Sequence, residues 1–310
     1  MKRLSRCFLV LVLCHPTWAS QIITENVQKA IVFLYPDVEG QPDQRHPLGT
    51  GFLIIVPVKS SVNPMGQNTT TTGQLLLITA RHIVDPNWAF CSGRQPTAIY
   101  VRVNKVNYDP LSKESGVDYV RIPLVANREN LYWTSDDDEI DAAVIPIGAQ
   151  LSSAKHDALP MRLVVFASTE EISKIQVGDP VFSAGLLPGK SGEKRNYPFF
   201  KFGYVSSIPG EPLGISCEKG MPELRHEKVW FIAANLVAGN SGSPIYYGPP
   251  SPFSPSGPSR VVLIGVQSSS FEGADVAGMT PIEDVFKIIQ AHVTDPRLDL
   301  WRGDETKRTP

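Results

Sequence analysis

The sequence predicts an all-β protein made of two units of similar size, followed by one C-terminal helix. Charged residues make up only 19% of the chain, which contains 27 prolines and 24 glycines. This balance favours many short strands joined by turns over long surface helices. The apolar segments also follow one another without the β-α-β alternation that doubly wound sheets and α/β barrels require. With 310 residues, the chain is long enough for one large domain or two smaller ones.

Apolar runs of strand length predict the β-strands of both units. In the first unit, 21–157, they are residues 30–34, 50–56, 74–79, 98–103, 117–122 and 142–147. In the second unit, 158–296, they are residues 179–185, 200–206, 229–232, 244–247 and 261–267. The polar segment 60–73 and the Pro/Ser-rich segment 248–259 are predicted to be loops within the two units.

The C-terminal helix is predicted from its start signal and its apolar face. Thr280 and Glu283 have the spacing of a capping box, and Pro281 falls at the first helical position. The apolar residues that follow have the spacing of one helix face: Ile282, Val285, Phe286 and Ile289. Residues 297–310 are interpreted as a tail.

The first 20 residues have the pattern of a signal peptide. A basic head precedes the apolar run Cys7–Cys14, and small residues follow at Thr17 and Ala19. The run is too short to span a bilayer, which needs about 20 residues. Lipid attachment at Cys14 is the alternative, although the bulky Leu13 before it argues against that. The pattern predicts export to the periplasm or the extracellular space. The formal net charge of −2 gives no reason to expect a nucleic acid or membrane partner.

Signal cleavage leaves two cysteines in the mature chain, Cys91 and Cys217. An oxidising compartment permits one disulfide between them. Neither lies in a C-x-x-C motif, which argues against a thiolate zinc site. We expect no metal and no cofactor.

The segment from Gly239 to Pro244, GNSGSP, has the composition of a catalytic turn. Glycines beside Ser241 allow a sharp turn that exposes the serine hydroxyl. The backbone N–H groups of Gly239 and Ser241 can then converge as an oxyanion hole. The alternative is an ordinary Gly/Asn/Ser turn between strands.

A nucleophilic serine needs a base and a carboxylate that orients the base. Among the histidines that remain after export, only His82 directly follows an apolar strand. Asp141 begins an apolar strand and is the preferred carboxylate. Asp138 is the alternative, within an acidic run that has the appearance of a solvated loop.

Taken together, four motifs resemble those of the trypsin-like, chymotrypsin-fold serine peptidases. They are Gly49-Thr50-Gly51-Phe52, Thr79-Ala80-Arg81-His82, Asp141-Ala142-Ala143-Val144 and Gly239–Pro244, in the order His, Asp, Ser. The resemblance covers nearly the whole mature chain and is closest to the bacterial secreted members. It implies two six-stranded antiparallel β-barrels with the site between them.

The resemblance also implies the role of each site residue. Ser241 is the nucleophile, His82 the general base and acid, and Asp141 the orienting carboxylate, acting on a protein or peptide substrate. Substrate-binding positions follow in the same way: Asn235 and Leu236 in the primary pocket, and Gln267, Ser268, Ser269 and Ser270 along the strand that pairs with the substrate. Because Asn235 and Gln267 are neutral, the expected pocket favours uncharged side chains.

Two positions depart from the animal members of this family. Asn240 stands where they have an aspartate that pairs with a newly cut N-terminus, so we expect activity without zymogen cleavage. Ser243 replaces the second glycine of the serine motif and is small enough to be tolerated.

Two other functions compete with a peptidase. An α/β-hydrolase needs G-x-S-x-G and a histidine after the serine, but Ser243 occupies the last glycine position and only His292 follows. A catalytically silent binding module of the same fold is the stronger alternative, although no member of the triad is missing.

Overall fold

The computed structural model describes residues 25–62, 68–89, 95–111, 113–187, 190–216, 225–237, 239–248, 261–271 and 273–294. The predicted signal segment, Cys91 and Cys217, nearly all of the Pro/Ser-rich loop and the 297–310 tail lie outside these residues. None of their predictions is therefore tested by the fold.

Strands between residues 31 and 146, together with the short strand at residues 161–162, form one nine-stranded sheet. Its strands are β1 Ile31–Val38, β2 Gln41–Pro42, β3 Gly49–Val62, β4 Asn68–Thr79, β5 Ala98–Asn104, β6 Val117–Pro123, β9 Trp133–Thr134, β10 Ala143–Pro146 and β11 Met161–Arg162. The main path runs β6-β5-β1-β3-β4-β10-β9, with β2 on β1 and β11 parallel to β3. Strands β7 (Val125–Ala126) and β8 (Glu129–Asn130) form a separate hairpin.

This sheet curls around a core, but its hydrogen-bonded path does not close within the residues described. One hydrophobic cluster contains Ile122 from β6 and Ile145 from β10, so strands near both ends of the path contribute to it. The chain that follows β6 forms the β7–β8 hairpin, and β9 is only two residues long. The closed six-stranded barrel expected for the first unit is therefore not confirmed within the residues described.

The second half forms the closed six-stranded antiparallel barrel that was expected. Its strands are β12 Pro180–Gly185, β13 Phe199–Ser207, β16 Trp230–Ala233, β17 Pro244–Tyr247, β18 Val262–Phe271 and β19 Val276–Pro281. They pair in the order β12-β13-β16-β19-β18-β17, and β17 returns to β12. A hairpin of β14 (Leu213–Ile215) and β15 (Arg225–Glu227) lies off the barrel.

The helices are short apart from the last. They are α1 25–30, α2 Arg81–Val84, α3 Thr169–Ser173 and α4 Ile282–His292, with 3-10 turns at Gly148–Gln150 and Leu163–Val165. The C-terminal helix is confirmed, but its predicted capping box is wrong. Pro281 is the N-cap residue and no side chain caps the helix. Thr280 instead lies within β19, one residue before its end, and its hydroxyl donates to the backbone oxygen of Asp141 at 3.0 Å.

The predicted polar loop at 60–73 is also shorter than expected. The β3–β4 ladder continues through Ser60↔Thr71 and ends at Val62↔Asn68. Threonine-rich sequence suits strands as well as loops, because β-branched side chains fit a pleated surface.

The first sheet and the barrel pack on each other through a common hydrophobic core. One cluster includes Phe52 and Ile78 from the sheet, Ile245 and Val266 from the barrel, and Phe286 from α4. A cleft lined by residues of both bodies lies where they meet. The division at 157/158 stays a prediction.

Candidate active site

His82 is held by a single carboxylate at two points. The Asp141 side chain accepts a 3.0 Å hydrogen bond from the His82 backbone N–H through one oxygen. Its other oxygen lies 2.7 Å from Nδ1 of the His82 ring. A neutral imidazole that donates from Nδ1 keeps Nε2 as an acceptor, which is the state a general base needs.

Asp141 is positioned by strands from both halves of the protein. It lies two residues before β10, whose first residue, Ala143, pairs with Thr79 of β4. Its side chain is 2% exposed, and its backbone oxygen is bound by Thr280. Asp138, the alternative considered from the sequence, is 80% exposed and lies near Arg81 and Arg225. The fold thus brings Asp141, and not Asp138, to the imidazole.

The pKa of His82 results from opposing effects. Burial alone would lower it, but the charge of Asp141, its hydrogen bond and the charge of Glu227 raise the pKa above the ordinary value. The imidazolium is therefore stabilised in this cleft, as a base that accepts a proton during a reaction requires.

The turn that carries Ser241 depends on two glycines. Gly239 and Gly242 have φ angles of +91° and +85°, in the region that favours glycine. A Cβ atom at Gly242 would lie 2.0 Å from the backbone oxygen of Thr50, so a larger residue cannot fit. The Thr50 N–H donates to the Ser241 backbone oxygen at 2.8 Å, and the Thr50 hydroxyl donates to the Gly239 oxygen at 3.0 Å. Strand β3 of the first sheet therefore supports the serine turn directly.

The side chain of Asn240 fixes the same turn through hydrogen bonds to three neighbours. Its side chain is buried; Oδ1 accepts 3.0 Å hydrogen bonds from Lys201 Nζ and the Val237 N–H, and Nδ2 donates to the Leu186 oxygen. Burial lowers the pKa of Lys201. Ser243 is fully buried and packs against Gly185. A Cβ atom added at Gly185 would lie 2.0 Å from the side-chain oxygen of Ser243.

A cleft of about 250 Å³ brings most of the predicted site residues together. Its lining includes His82, Asp141, Gly239, Ser241 and Ser268–Ser270. Ser241 and His82 thus face one space, and the geometry fits a nucleophile, a base and an orienting carboxylate. Within the described residues, no group of three or more His, Cys, Asp or Glu side chains could hold a metal ion.

Strand β18 presents an unpaired edge at this cleft. Its pairing with β17 ends at Pro244↔Val266, while its pairing with β19 continues to Phe271↔Val276. The hydroxyls of Ser268 and Ser269 are buried with no hydrogen-bond partner among the residues described.

The remaining predicted pocket residues are placed elsewhere. Asn235 is exposed, and Leu236 is buried in the hydrophobic core. Gln267 is fully buried, with its amide donating to the Ser269 oxygen at 3.2 Å. None of the three is among the residues that line the cleft.

Glu227 lines the cleft and was not predicted from the sequence. It is only 5% exposed, although it lies in the charged run Arg225-His226-Glu227-Lys228. Such a run usually indicates a solvated face. The one available signal was its spacing of two residues from the buried Val229, which places both side chains on the same face of an extended chain.

No protein-family model matches this sequence, and no curated protein matches it. The solved structures that the chain resembles include three proteases. The MamO protease domain of Magnetospirillum magneticum is 16% identical, with 87% of this chain and 98% of that chain covered and a TM-score of 0.48. The Rv3671c protease of M. tuberculosis, active form, is 16% identical, with 95% and 94% covered and a TM-score of 0.45. The HtrA-type protease AlgW, solved with a decapeptide, is 14% identical, with 89% and 67% covered and a TM-score of 0.45. These likenesses are too weak to support a function.

Proposed function

We propose that this protein is an exported serine endopeptidase. Ser241 acts as the nucleophile, His82 as general base and acid, and Asp141 as the orienting carboxylate. The observation that carries the proposal is the double attachment of His82 to the buried Asp141, in a cleft that Ser241 also lines. A general base requires an imidazole that is held in this way.

The reaction proceeds through an acyl-enzyme. Nε2 of His82 takes the proton of the Ser241 hydroxyl as Oγ attacks the substrate carbonyl carbon. The imidazolium then gives that proton to the leaving amine as the peptide C–N bond breaks, which leaves an ester on Ser241. Water attacks the ester with His82 again as base, and the acid product and free serine are released.

Backbone N–H groups stabilise the oxyanion of each tetrahedral intermediate. We assign this role to Gly239 and Ser241, because the left-handed conformation of Gly239 reorients the chain immediately before the nucleophile. In the described part of the chain, the Ser241 N–H donates to no backbone oxygen, so it is available to a substrate. Donors of this kind contribute about 3–4 kcal/mol to transition-state stabilisation.

The unpaired edge at Ser268–Ser270 is the proposed binding strand for an extended peptide. Backbone hydrogen bonds along such an edge hold a substrate without regard to its side chains. The neutral primary pocket expected at Asn235, Leu236 and Gln267 receives no support, because those residues do not line the cleft.

Export remains a proposal drawn from the N-terminal pattern. In the residues described here, no helix is both long and apolar enough to cross a membrane. The N-terminal residue of the protein recovered from an expressing cell tests the proposed removal of residues 1–20.

Labelling with a fluorophosphonate tests the enzymatic proposal. The purified mature protein should bind one probe at Ser241, located by peptide mapping, and Ser241→Ala should abolish the label. Protein that is folded, hydrolyses no peptide and takes up no label would instead be the catalytically silent binding module.

A further inference from the structure

Glu227 ends strand β15 and directs a carboxyl group into the proposed catalytic cleft. In the β14–β15 hairpin, Glu227 lies opposite Leu213, and its side chain lines the same space as His82 and Ser241. It is 5% exposed. The catalytic scheme above gives it no role.

The carboxylate lacks a cationic partner in the part of the chain that the structure describes. Its Oε2 atom is buried and accepts no hydrogen bond. Arg225 is occupied elsewhere: its guanidinium stacks 3.7 Å from the centre of the Trp88 ring and donates to backbone oxygens of Trp88 and Asp138. Lys228 pairs with Asp137 and Glu139.

The surroundings of Glu227 favour an incoming positive charge. Burial, followed by the charge of Asp141, raises the pKa of Glu227 to about 8, against the opposing charges of His82 and Arg225. A buried carboxyl that lacks a partner is costly to ionise, whereas an ammonium or guanidinium group placed beside it removes much of that cost. Two acidic side chains, Asp141 and Glu227, thus face one imidazole in the same cleft.

We propose that Glu227 is a specificity-determining residue that binds a lysine or arginine side chain of the peptide substrate. This inference rests on the proposed peptidase function and gives that function a substrate class. It replaces the expectation of an uncharged preference, which was drawn from residues that do not line the cleft.

Matched peptides test the proposal. Quenched fluorescent octapeptides of small neutral residues would carry Lys, Arg, norleucine or Glu at one position, and that position would be moved along the peptide. For the wild type, we expect kcat/KM to be ~10-fold or more higher for Lys or Arg than for norleucine at one position. Glu227→Gln should reduce that ratio to within about 2-fold, because the amide offers no charge to the ammonium group.

Two further variants separate specific binding from general effects. Glu139→Gln removes an acidic side chain that already pairs with Lys228 and does not line the cleft, so the Lys/norleucine ratio should be retained. Glu227→Asp keeps the charge on a shorter side chain and should keep part of the preference. If Glu227→Gln does not fold, the ratio in Glu227→Asp still tests the proposal.

Binding to a Ser241→Ala protein makes the outcome independent of hydrolysis. Fluorescence anisotropy with the same peptides should show tighter binding of Lys and Arg peptides, lost on adding Glu227→Gln. Hydrolysis without a cationic preference, or a preference that survives Glu227→Gln, would overturn this inference and leave the peptidase proposal standing. Cation-selective binding without hydrolysis or fluorophosphonate labelling would support Glu227 as a cation-binding residue and refute the peptidase.

Discussion

The ammonium group of Lys201 donates a 3.0 Å hydrogen bond to the side-chain oxygen of Asn240, the residue directly before Ser241. Lys201 lies on β13 of the barrel, so a half-buried lysine of the barrel holds the serine turn. A neutral amide at position 240 is well suited to this contact, because its oxygen accepts from Lys201 while its nitrogen donates to Leu186. The turn therefore has a fixed partner that does not depend on a newly cut N-terminus.

Lys201→Met should lower both stability and the rate of fluorophosphonate labelling. The variant leaves the Asn240 oxygen with the donor N–H of Val237 and removes a hydrogen bond from a charged group, worth about 1.5–3 kcal/mol. We expect the melting temperature to fall by at least ~3 °C. Lys174→Met, on an exposed lysine that pairs with Glu170, is the control and should change neither measurement.

A short tag before Gln21 should leave the activity of the mature protein unchanged, because Lys201 already supplies the cation beside Asn240. Loss of activity on tagging, with recovery when the tag is removed, would show that a free N-terminus is required.

Ser241→Ala and His82→Ala should each abolish peptide hydrolysis without unfolding the protein, since nucleophile and base act as one unit. Asp141→Asn should reduce kcat by roughly 10⁴-fold, because an amide nitrogen facing Nδ1 favours the wrong imidazole tautomer. The amide oxygen of that variant can still accept from the His82 backbone N–H, so the local fold should persist. Circular dichroism shows whether each variant is folded, and single-turnover kinetics measure its loss of activity. Residual activity above a few per cent in Ser241→Ala, with contaminating peptidases excluded, would contradict the assignment.

The activity should rise with pH as His82 loses its proton, with a midpoint above the ordinary imidazole value of about 6.5. The direction follows from the raised pKa of His82: burial lowers this pKa, but the charge and the hydrogen bond of Asp141 outweigh that effect. The midpoint is measured as kcat/KM on a neutral peptide. A midpoint at or below 6.5 in the wild type would be inconsistent with this electrostatic picture.

The stability of the protein should respond to pH through Glu227. A carboxyl whose pKa is raised to about 8 on folding stabilises the folded state while it is protonated. This contribution to the free energy of unfolding is complete at pH values below the ordinary pKa of a glutamate. That contribution is lost as the pH rises through about 8. Glu227→Gln carries no charge to bury, so its melting temperature relative to wild type should increase with pH across this range, by at least ~3 °C. Glu139→Gln serves as the control, and a difference that stays constant with pH would contradict the burial of Glu227.

Cys91 and Cys217 are predicted to form one disulfide in the exported protein, on the grounds of compartment and the absence of another partner. Titration of free thiols in the denatured, unreduced mature protein should find none. Two reactive thiols would rule the bond out.

The sequence was most informative where a residue with catalytic chemistry lies beside an apolar strand or within a glycine-rich turn. His82 follows an apolar strand, and Asp141 precedes one, so strand pairing through Ala143↔Thr79 brings the two together. Ser241 was marked by its flanking glycines, whose left-handed conformations the turn requires. These three residues could be predicted from the sequence because the local pattern around each one agrees with its position in the folded protein.

Other features depended on packing that local patterns do not encode. Thr280 has the spacing of a capping residue, but its hydroxyl bonds the Asp141 backbone across the interface between the two halves. The actual capping box is at Ser168 and Glu171, at the start of a five-residue helix too short to show an apolar period. Glu227 was missed because its burial arises from the cleft and not from its charged neighbours.

The contact between Thr50 and Ser241 makes the alignment of the nucleophile a property of the assembled molecule. The Thr50 amide belongs to the first sheet, and the oxygen it binds belongs to the serine turn of the barrel. Any opening that separates the two halves breaks this bond and exposes an otherwise protected amide. Hydrogen–deuterium exchange at Thr50 would therefore report how often the cleft comes apart in solution. By the same reasoning, the isolated barrel would retain Ser241 but lose the strand that holds its turn.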